Sequence, residues 1–371
     1  MKRKILVFWV LTGLLLALTS FFTTNAVISK PEPPLEPPPE PPPEPPPEPE
    51  VTSITGYVRT GLGSAISDAK VTLYIQGYLE DVDYTSSGGK YTVFVFQHFS
   101  GTLSAKLKFE KSGYFTKYVY TNVYPGKTIK KNVNLARRTW ALVLGVQTSS
   151  TEDRFTHDAF NFYKTLIDHY GFTDDRIYLL TSRGEDTDPI TGEPIPKDNN
   201  TTKNNIRWAI EQIATRATSG DQVIIWWTGH GGSDKLYTYG GAYFTATEFD
   251  NELDAITCSE MYLLLGPCMS GSLINDLDDE QNRAIYTSCA SNEEGHISSD
   301  KNHSLWPWAT YRALDPDLYF DDADTNNDNK VSLYELYVYG YNFVTGLCDV
   351  QHPQCWVGTQ IGSDSDDYIG F

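Results

Sequence analysis

Val223-Ile224-Ile225-Trp226-Trp227-Thr228-Gly229-His230-Gly231-Gly232 and Met261-Tyr262-Leu263-Leu264-Leu265-Gly266-Pro267-Cys268-Met269-Ser270-Gly271-Ser272 decide how this chain is to be read. Each is an apolar run that breaks into a loop of small residues, the pattern of a strand buried on both faces. Some 30 residues separate the runs, room for one helical crossover, which makes the two strands parallel neighbours. Parallel neighbours lie about 4.8 Å apart, so His230 and Cys268 are expected to emerge together at one edge of the sheet. That edge is where open α/β sheets bind ligands.

A cysteine and a histidine so placed form a nucleophile and its base. The imidazole removes the thiol proton, the thiolate attacks a carbonyl, and the imidazolium returns a proton to the leaving amine. Gly231 lets backbone approach the reacting group, and its N–H with that of Cys268 is positioned to hold an oxyanion. A cysteine ending an apolar strand is usually inert core, and a histidine in a glycine loop is usually a turn residue. Their placement at equivalent points of successive strands favours the reactive pair.

Outward from these runs, residues 138–371 alternate strand-like and helix-like segments. Trp140–Val146, Ile177–Leu180 and Ala284–Thr287 read as further strands. Arg154–Tyr170, Thr202–Ala217, Thr245–Ile256, Leu305–Leu314 and Ser332–Phe343 read as helices. In Thr202–Ala217, Ile206, Ile210 and Ile213 form one stripe and Gly220 is the stop signal. The alternation predicts an α/β domain with a mostly parallel sheet and helices on both faces.

The motifs carry a family likeness. Gly229-His230-Gly231, Cys268-Met269-Ser270-Gly271-Ser272 and the opening strand Trp140-Ala141-Leu142-Val143-Leu144-Gly145 resemble the caspase-haemoglobinase fold of cysteine peptidases, most closely the legumain family, over roughly residues 139–314. The resemblance implies cleavage of peptide bonds by a His230–Cys268 dyad through a thioester acyl-enzyme. It places Arg154 in a pocket for Asn or Asp at P1 and makes Ser291, in the loop Ser288-Cys289-Ala290-Ser291-Asn292, a lining residue. Two positions depart from it. Gly266 stands where legumains carry Glu, and Glu152 stands where an Asn is often found, which puts the third-member support of His230 in question.

Residues 51–137 are a different unit. Ile54–Arg59, Lys70–Ile75, Tyr91–Phe96, Leu103–Phe109, Tyr118–Val123 and Ile129–Leu135 alternate with period two between glycine turns, which predicts a small all-β sandwich. Gly56-Tyr57-Val58, Ala69-Lys70-Val71 and Gly89-Lys90-Tyr91 resemble the carboxypeptidase regulatory-like domain. This unit carries 11 basic and 5 acidic residues (+6), whereas residues 138–371 carry 14 and 37 (−23). A solvated lysine face and a docking face for an acidic partner or for the second domain are both consistent with that charge. The whole chain is −19, which repels phosphate backbones and argues against nucleic acid as a partner.

The N-terminus reads Lys2-Arg3-Lys4, an apolar run over residues 5–22, then Thr24-Asn25-Ala26. Residues 1–26 are therefore an export signal or, if retained, a membrane anchor, and the protein is expected to be secreted or held outside the membrane. Residues 31–50 contain 13 Pro and 6 Glu and form a polyproline II spacer.

Near the C-terminus, Asp324–Glu335 offers oxygen ligands in EF-hand order: Asp324, Asn326, Asp328, the Lys330 carbonyl, Ser332 and Glu335. Calcium is the expected occupant, as a clamp; an acidic turn that only caps the next helix is the alternative. Among five cysteines, Cys348 and Cys355 are spaced for a small disulfide loop, while Cys258 and Cys289 fall at opposite ends of their strands. The expected whole is an exported cysteine endopeptidase acting on peptide or protein substrates. A catalytically silent adhesive surface protein and a transpeptidase using the same dyad are the alternatives.

Overall fold

The computed structural model describes residues 51–61, 63–148, 152–182, 186–327 and 330–361. The expected export segment, the Pro/Glu spacer and Asp328 lie outside the described residues. The first unit has eight strands: β1 (Thr52–Thr60), β2 (Lys70–Ile75), β3 (Tyr78–Tyr84), β4 (Lys90–Val95), β5 (Leu103–Glu110), β6 (Lys117–Val123), β7 (Thr128–Lys130) and β8 (Val133–Leu135). One sheet runs β4-β1-β7, with β8 also on β1; the other runs β3-β2-β5-β6. Alternate residues of both sheets, among them Ile54, Leu73, Val93 and Leu107, close a sandwich core.

Two details depart from the sequence reading. The expected strand over 129–135 is split into β7 and β8, both parallel to β1. Between them the Asn132 side chain accepts the Tyr57 N–H at 3.1 Å. Strand β3 was hidden by its acids, which have a structural use. Asp83, Asp81 and Glu80 accept the N–H groups of Thr92, Phe94 and Phe96, each at 2.7 Å, so side-chain oxygens occupy the outer edge of β4.

The sandwich abuts the second domain through two glycines. A Cβ on Gly113 would come 1.9 Å from the Gly220 carbonyl oxygen, and one on Gly220 would come 2.6 Å from the Gly113 nitrogen. Gly220 therefore serves this close approach and not helix termination. Arg137 pairs with Glu260 beside it, and the Arg176 guanidinium lies between the rings of Phe115 and Trp140.

The second domain contains β9 (Thr139–Val146), α1 (Arg154–Tyr170), β10 (Ile177–Thr181), β11 (Asn199–Asn200), α2 (Lys203–Arg216) and β12 (Gln222–Gly229). A small antiparallel sheet follows, of β13 (Gly231–Gly232), β14 (Lys235–Tyr237) and β15 (Tyr243–Thr245). Then come α3 (Ala246–Leu253), β16 (Glu260–Leu265), α4 (Ile274–Leu277), β17 (Arg283–Thr287), α5 (Leu305–Leu314), α6 (Phe320–Ala323), α7 (Leu333–Leu347) and β18 (Gln354–Val357). The main sheet has the order β11-β10-β9-β12-β16-β17-β18, and every pairing is parallel except β17 with β18.

Side chains alternate between two cores, as buried strands require. Ile224, Trp226, Tyr262 and Leu264 join Phe162 and Leu166 of α1 and Trp306 of α5 on one face. Val223, Ile225, Trp227 and Leu263 join Ile206, Ile210 and Ile213 of α2 and Phe249 of α3 on the other. Helix α1 ends where Gly171 takes a left-handed φ of 66°. Helices α3 and α7 start with capping boxes, Thr245 with Glu248 and Ser332 with Glu335. The expected Cys348–Cys355 disulfide is not formed; Cys348 instead caps α7 and Cys355 lies in exposed β18.

Candidate active site

Strands β12 and β16 pair with Trp227 opposite Leu265. His230 and Cys268 each lie three residues beyond that pair, at the same carboxyl edge. The loops touch: a Cβ on Gly231 would meet the Cys268 carbonyl oxygen at 2.6 Å and Pro267 Cβ at 2.7 Å. Gly231 is off the wall of the cleft but lets the two loops close on each other. His230 and Cys268 line one cleft together with Arg154, Gly229, Gly266, Gly295, Trp306 and Gln351.

Glu152 answers the question left by the sequence. Its carboxylate accepts a short hydrogen bond from His230 Nε2, and its other oxygen accepts the Thr148 N–H at 3.1 Å. The ring also meets Phe155 edge-on, centroids 5.3 Å apart. With Nε2–H committed to Glu152, the neutral imidazole carries its lone pair on Nδ1, the nitrogen left to take the thiol proton.

Burial pushes the Cys268 thiol up from its ordinary value, while the Gly295 N–H, 3.3 Å from Sγ, works in the opposite direction. Burial prevails, so the thiol is protonated at rest and needs a base. The backbone at Met269 has a left-handed φ of 54°, and its N–H donates to the Glu293 carbonyl at 2.8 Å. The loop after β17 thus holds the cysteine loop at two points.

That loop is itself held from the C-terminal segment. Gln351, 1% exposed, accepts the His296 N–H at 2.8 Å and donates to the Ser288 carbonyl at 2.9 Å. His352 Nδ1 lies 2.8 Å from Glu293 Oε1. Gly295, His296 and Gln351 escaped the sequence reading, which had named Ser291 in this loop. Ser291 is exposed and off the cleft, because a turn closed by the Glu293 N–H on the Ala290 carbonyl (3.1 Å) carries it outward.

Arg154 does lie in the cleft, its guanidinium 4.2 Å from the Phe155 ring centre. Its Nε and the Trp306 Nε1 are buried donors without acceptors among the described residues. No acid lines the cleft among the described residues. Gly266 has a steric reason: a Cβ there would meet Pro307 Cγ at 2.7 Å and the Trp227 carbonyl oxygen at 2.8 Å. The glutamate that legumains carry at this point has no room.

In the acidic loop, Asp324 and Glu335 are buried, and Ser332 is the N-cap of α7. Glu335 Oε1 accepts from the Thr325 and Asn326 N–H groups at 3.0 and 3.2 Å, and Oε2 from that of Ser332 at 3.0 Å. Burial alone would raise the Glu335 carboxyl, but these donors outweigh it and hold it below the usual range. Asn326 and the Lys330 backbone lie between, the former exposed.

Residues 139–252 match the family model for the metacaspase, peptidase C14 domain. That stretch contains Glu152, Arg154 and His230; Cys268 follows it and is tied to it by the β12–β16 register. Among curated proteins, Metacaspase-4 of Arabidopsis thaliana is 24% identical over 179 residues, 43% of this chain and 40% of that protein's length. The chain thus spans less than half of that relative. The family match and the sheet together give the domain that opens at Thr139 a caspase-like α/β fold, similar to the peptidase domain of metacaspases.

Proposed function

We propose that this protein is an exported cysteine endopeptidase whose nucleophile is Cys268 and whose base is His230. The observation that carries the proposal is the matched exit of both residues from β12 and β16 into one cleft. His230 Nδ1 takes the Cys268 proton as sulfur attacks the scissile carbonyl carbon. The C–S bond forms, and the oxyanion falls to the N–H of Cys268. The imidazolium, stabilised by Glu152, then protonates the leaving nitrogen as the C–N bond breaks. Water, deprotonated by His230, hydrolyses the thioester and restores the thiol.

For P1, the reading is a side chain with an acceptor oxygen, Asn or Asp. Arg154, which lines the cleft, offers hydrogen bonds to such an oxygen, and a lysine or arginine would meet no carboxylate among the described lining residues. The loop 324–335 is proposed to hold a structural calcium through Asp324, Asn326, Asp328, the Lys330 carbonyl, Ser332 and Glu335. Buried Asp324 and Glu335 fit a hard cation, which would supply only rigidity at the start of α7. Export rests on the charged-then-apolar residues 2–22, and distance from the membrane on the Pro/Glu spacer. The sandwich, resembling a carboxypeptidase regulatory-like domain, is assigned no chemistry.

The test is cleavage of a peptide library varied at P1, with Cys268→Ala and His230→Ala in parallel. Cutting by the parent alone, after Asn or Asp, is the expected result. Cutting after Lys or Arg would overturn the P1 assignment. Joining of an added amine in place of hydrolysis would make the protein a transpeptidase, and an inert parent would move the silent binding-surface reading to the front.

A further inference from the structure

Beside the dyad cleft lies a pocket of about 430 Å³, lined by His296, Ile297, Leu305, Trp308, Phe343 and Leu347. His296 and Ile297 belong to both walls, so the pocket adjoins the cleft. Its wall is rigid. Trp308 stacks on His303 at 4.7 Å with a 7° interplanar angle and meets Phe343 edge-on at 5.3 Å. The Arg312 guanidinium backs both rings, 4.4 and 5.1 Å from their centres. Leu347 and Ile297, by contrast, are 60% and 39% exposed, apolar surface left facing water next to a polar cleft.

We propose that this pocket is a substrate subsite that takes one large apolar side chain, leucine or phenylalanine, from the peptide being cleaved. The inference rests on the peptidase reading above and adds to it a preference that the dyad alone cannot create. An extended peptide advances about 3.3 Å per residue and points alternate side chains to opposite sides. With a wall shared between cleft and pocket, the residue that enters lies within a few positions of the scissile bond. No Lys, Arg, Asp or Glu lines the pocket among the described residues, so a charged side chain would lose its hydration there without a partner. A leucine buried there displaces water from both surfaces, which is worth roughly tenfold or more in affinity.

The experiment uses the full chain and a peptide with an optimal P1 and glycine elsewhere, changed to leucine one position at a time from P4 to P3′. The expected result is a rise in kcat/KM of about tenfold or more at one position. Leu347→Asp, an exposed change at the end of α7, should erase that gain and leave the all-glycine peptide within about twofold of the parent. Binding of the same labelled peptides to Cys268→Ala is measured alongside. An inert parent whose Cys268→Ala variant still prefers the leucine peptide, with the preference lost in the Leu347→Asp double variant, would sink the peptidase reading and keep the pocket. Equal rates and equal binding for all peptides would overturn the pocket. So would a Leu347→Asp effect of the same size on every peptide, or one that changes only the oligomeric state, which would make the surface a contact between copies.

Discussion

Gln351 lies 55 residues from His296 and 63 from Ser288, yet its amide is the link between them. Replacing it with alanine leaves one buried N–H and one buried carbonyl without partners. Each such loss costs about 1–2 kcal/mol, so the variant should be about 2–4 kcal/mol less stable. Urea unfolding followed by tryptophan fluorescence measures this. The same change loosens the loop that delivers the Gly295 N–H to Cys268, so the thiol should titrate still higher and iodoacetamide should react more slowly at any fixed pH. Gln351→Glu keeps the acceptor for His296 but buries a charge and sets an oxygen against the Ser288 carbonyl, and should lose at least as much stability as the alanine variant. A loss below about 0.5 kcal/mol in Gln351→Ala, with an unchanged alkylation profile, would refute the claim that this side chain holds the loop.

Glu152→Gln keeps the size of the side chain but removes the charge that faces the imidazolium. It should lower kcat roughly 10- to 150-fold with KM little changed, as expected for about 1.5–3 kcal/mol of charge-assisted hydrogen bonding; a kcat within threefold of the parent would mean that Glu152 does not support His230 in the reaction. Because burial raises the Cys268 thiol, alkylation in His230→Ala should be slow at pH 7 and climb only above the range of a free cysteine. A plateau already reached at pH 7 would mean a resting thiolate and would contradict the base-dependent mechanism. Calcium at a hundredfold excess over its Kd should add about 2.7 kcal/mol of stability; a melting temperature indifferent to chelator and to added calcium would empty the loop of its proposed ion.

The α/β domain was legible because strands buried on both faces leave unbroken apolar runs, and Val223–Trp227 and Met261–Leu265 show them plainly. The register that sets His230 beside Cys268 followed from those runs ending in like manner. What was not legible has a common cause in distance along the chain. Gln351 and Gly295 act on Cys268 through contacts that no local pattern encodes. Ser291 failed because a four-residue turn, invisible in its composition, faces it outward. Gly266 and Glu152 looked like losses relative to a family pattern, and only the packing against Pro307 and the bond to His230 give them a reason. Strand β3 was missed because its acids mimic a loop, although their partners are the backbone of β4.

Those acids bear on how the protein behaves among its own copies. A sheet edge with free N–H groups invites a strand from another molecule and so begins fibre growth. Along β4 and just beyond its end, the N–H groups of Thr92, Phe94 and Phe96 are already taken by carboxylates of the same chain. Phe94 and Phe96, with exposed faces that would otherwise suit cross-β stacking, sit on that guarded edge. Glu80, Asp81 and Asp83 therefore guard this edge against strand addition. A sandwich without these three carboxylates would keep its core and become the form that polymerises.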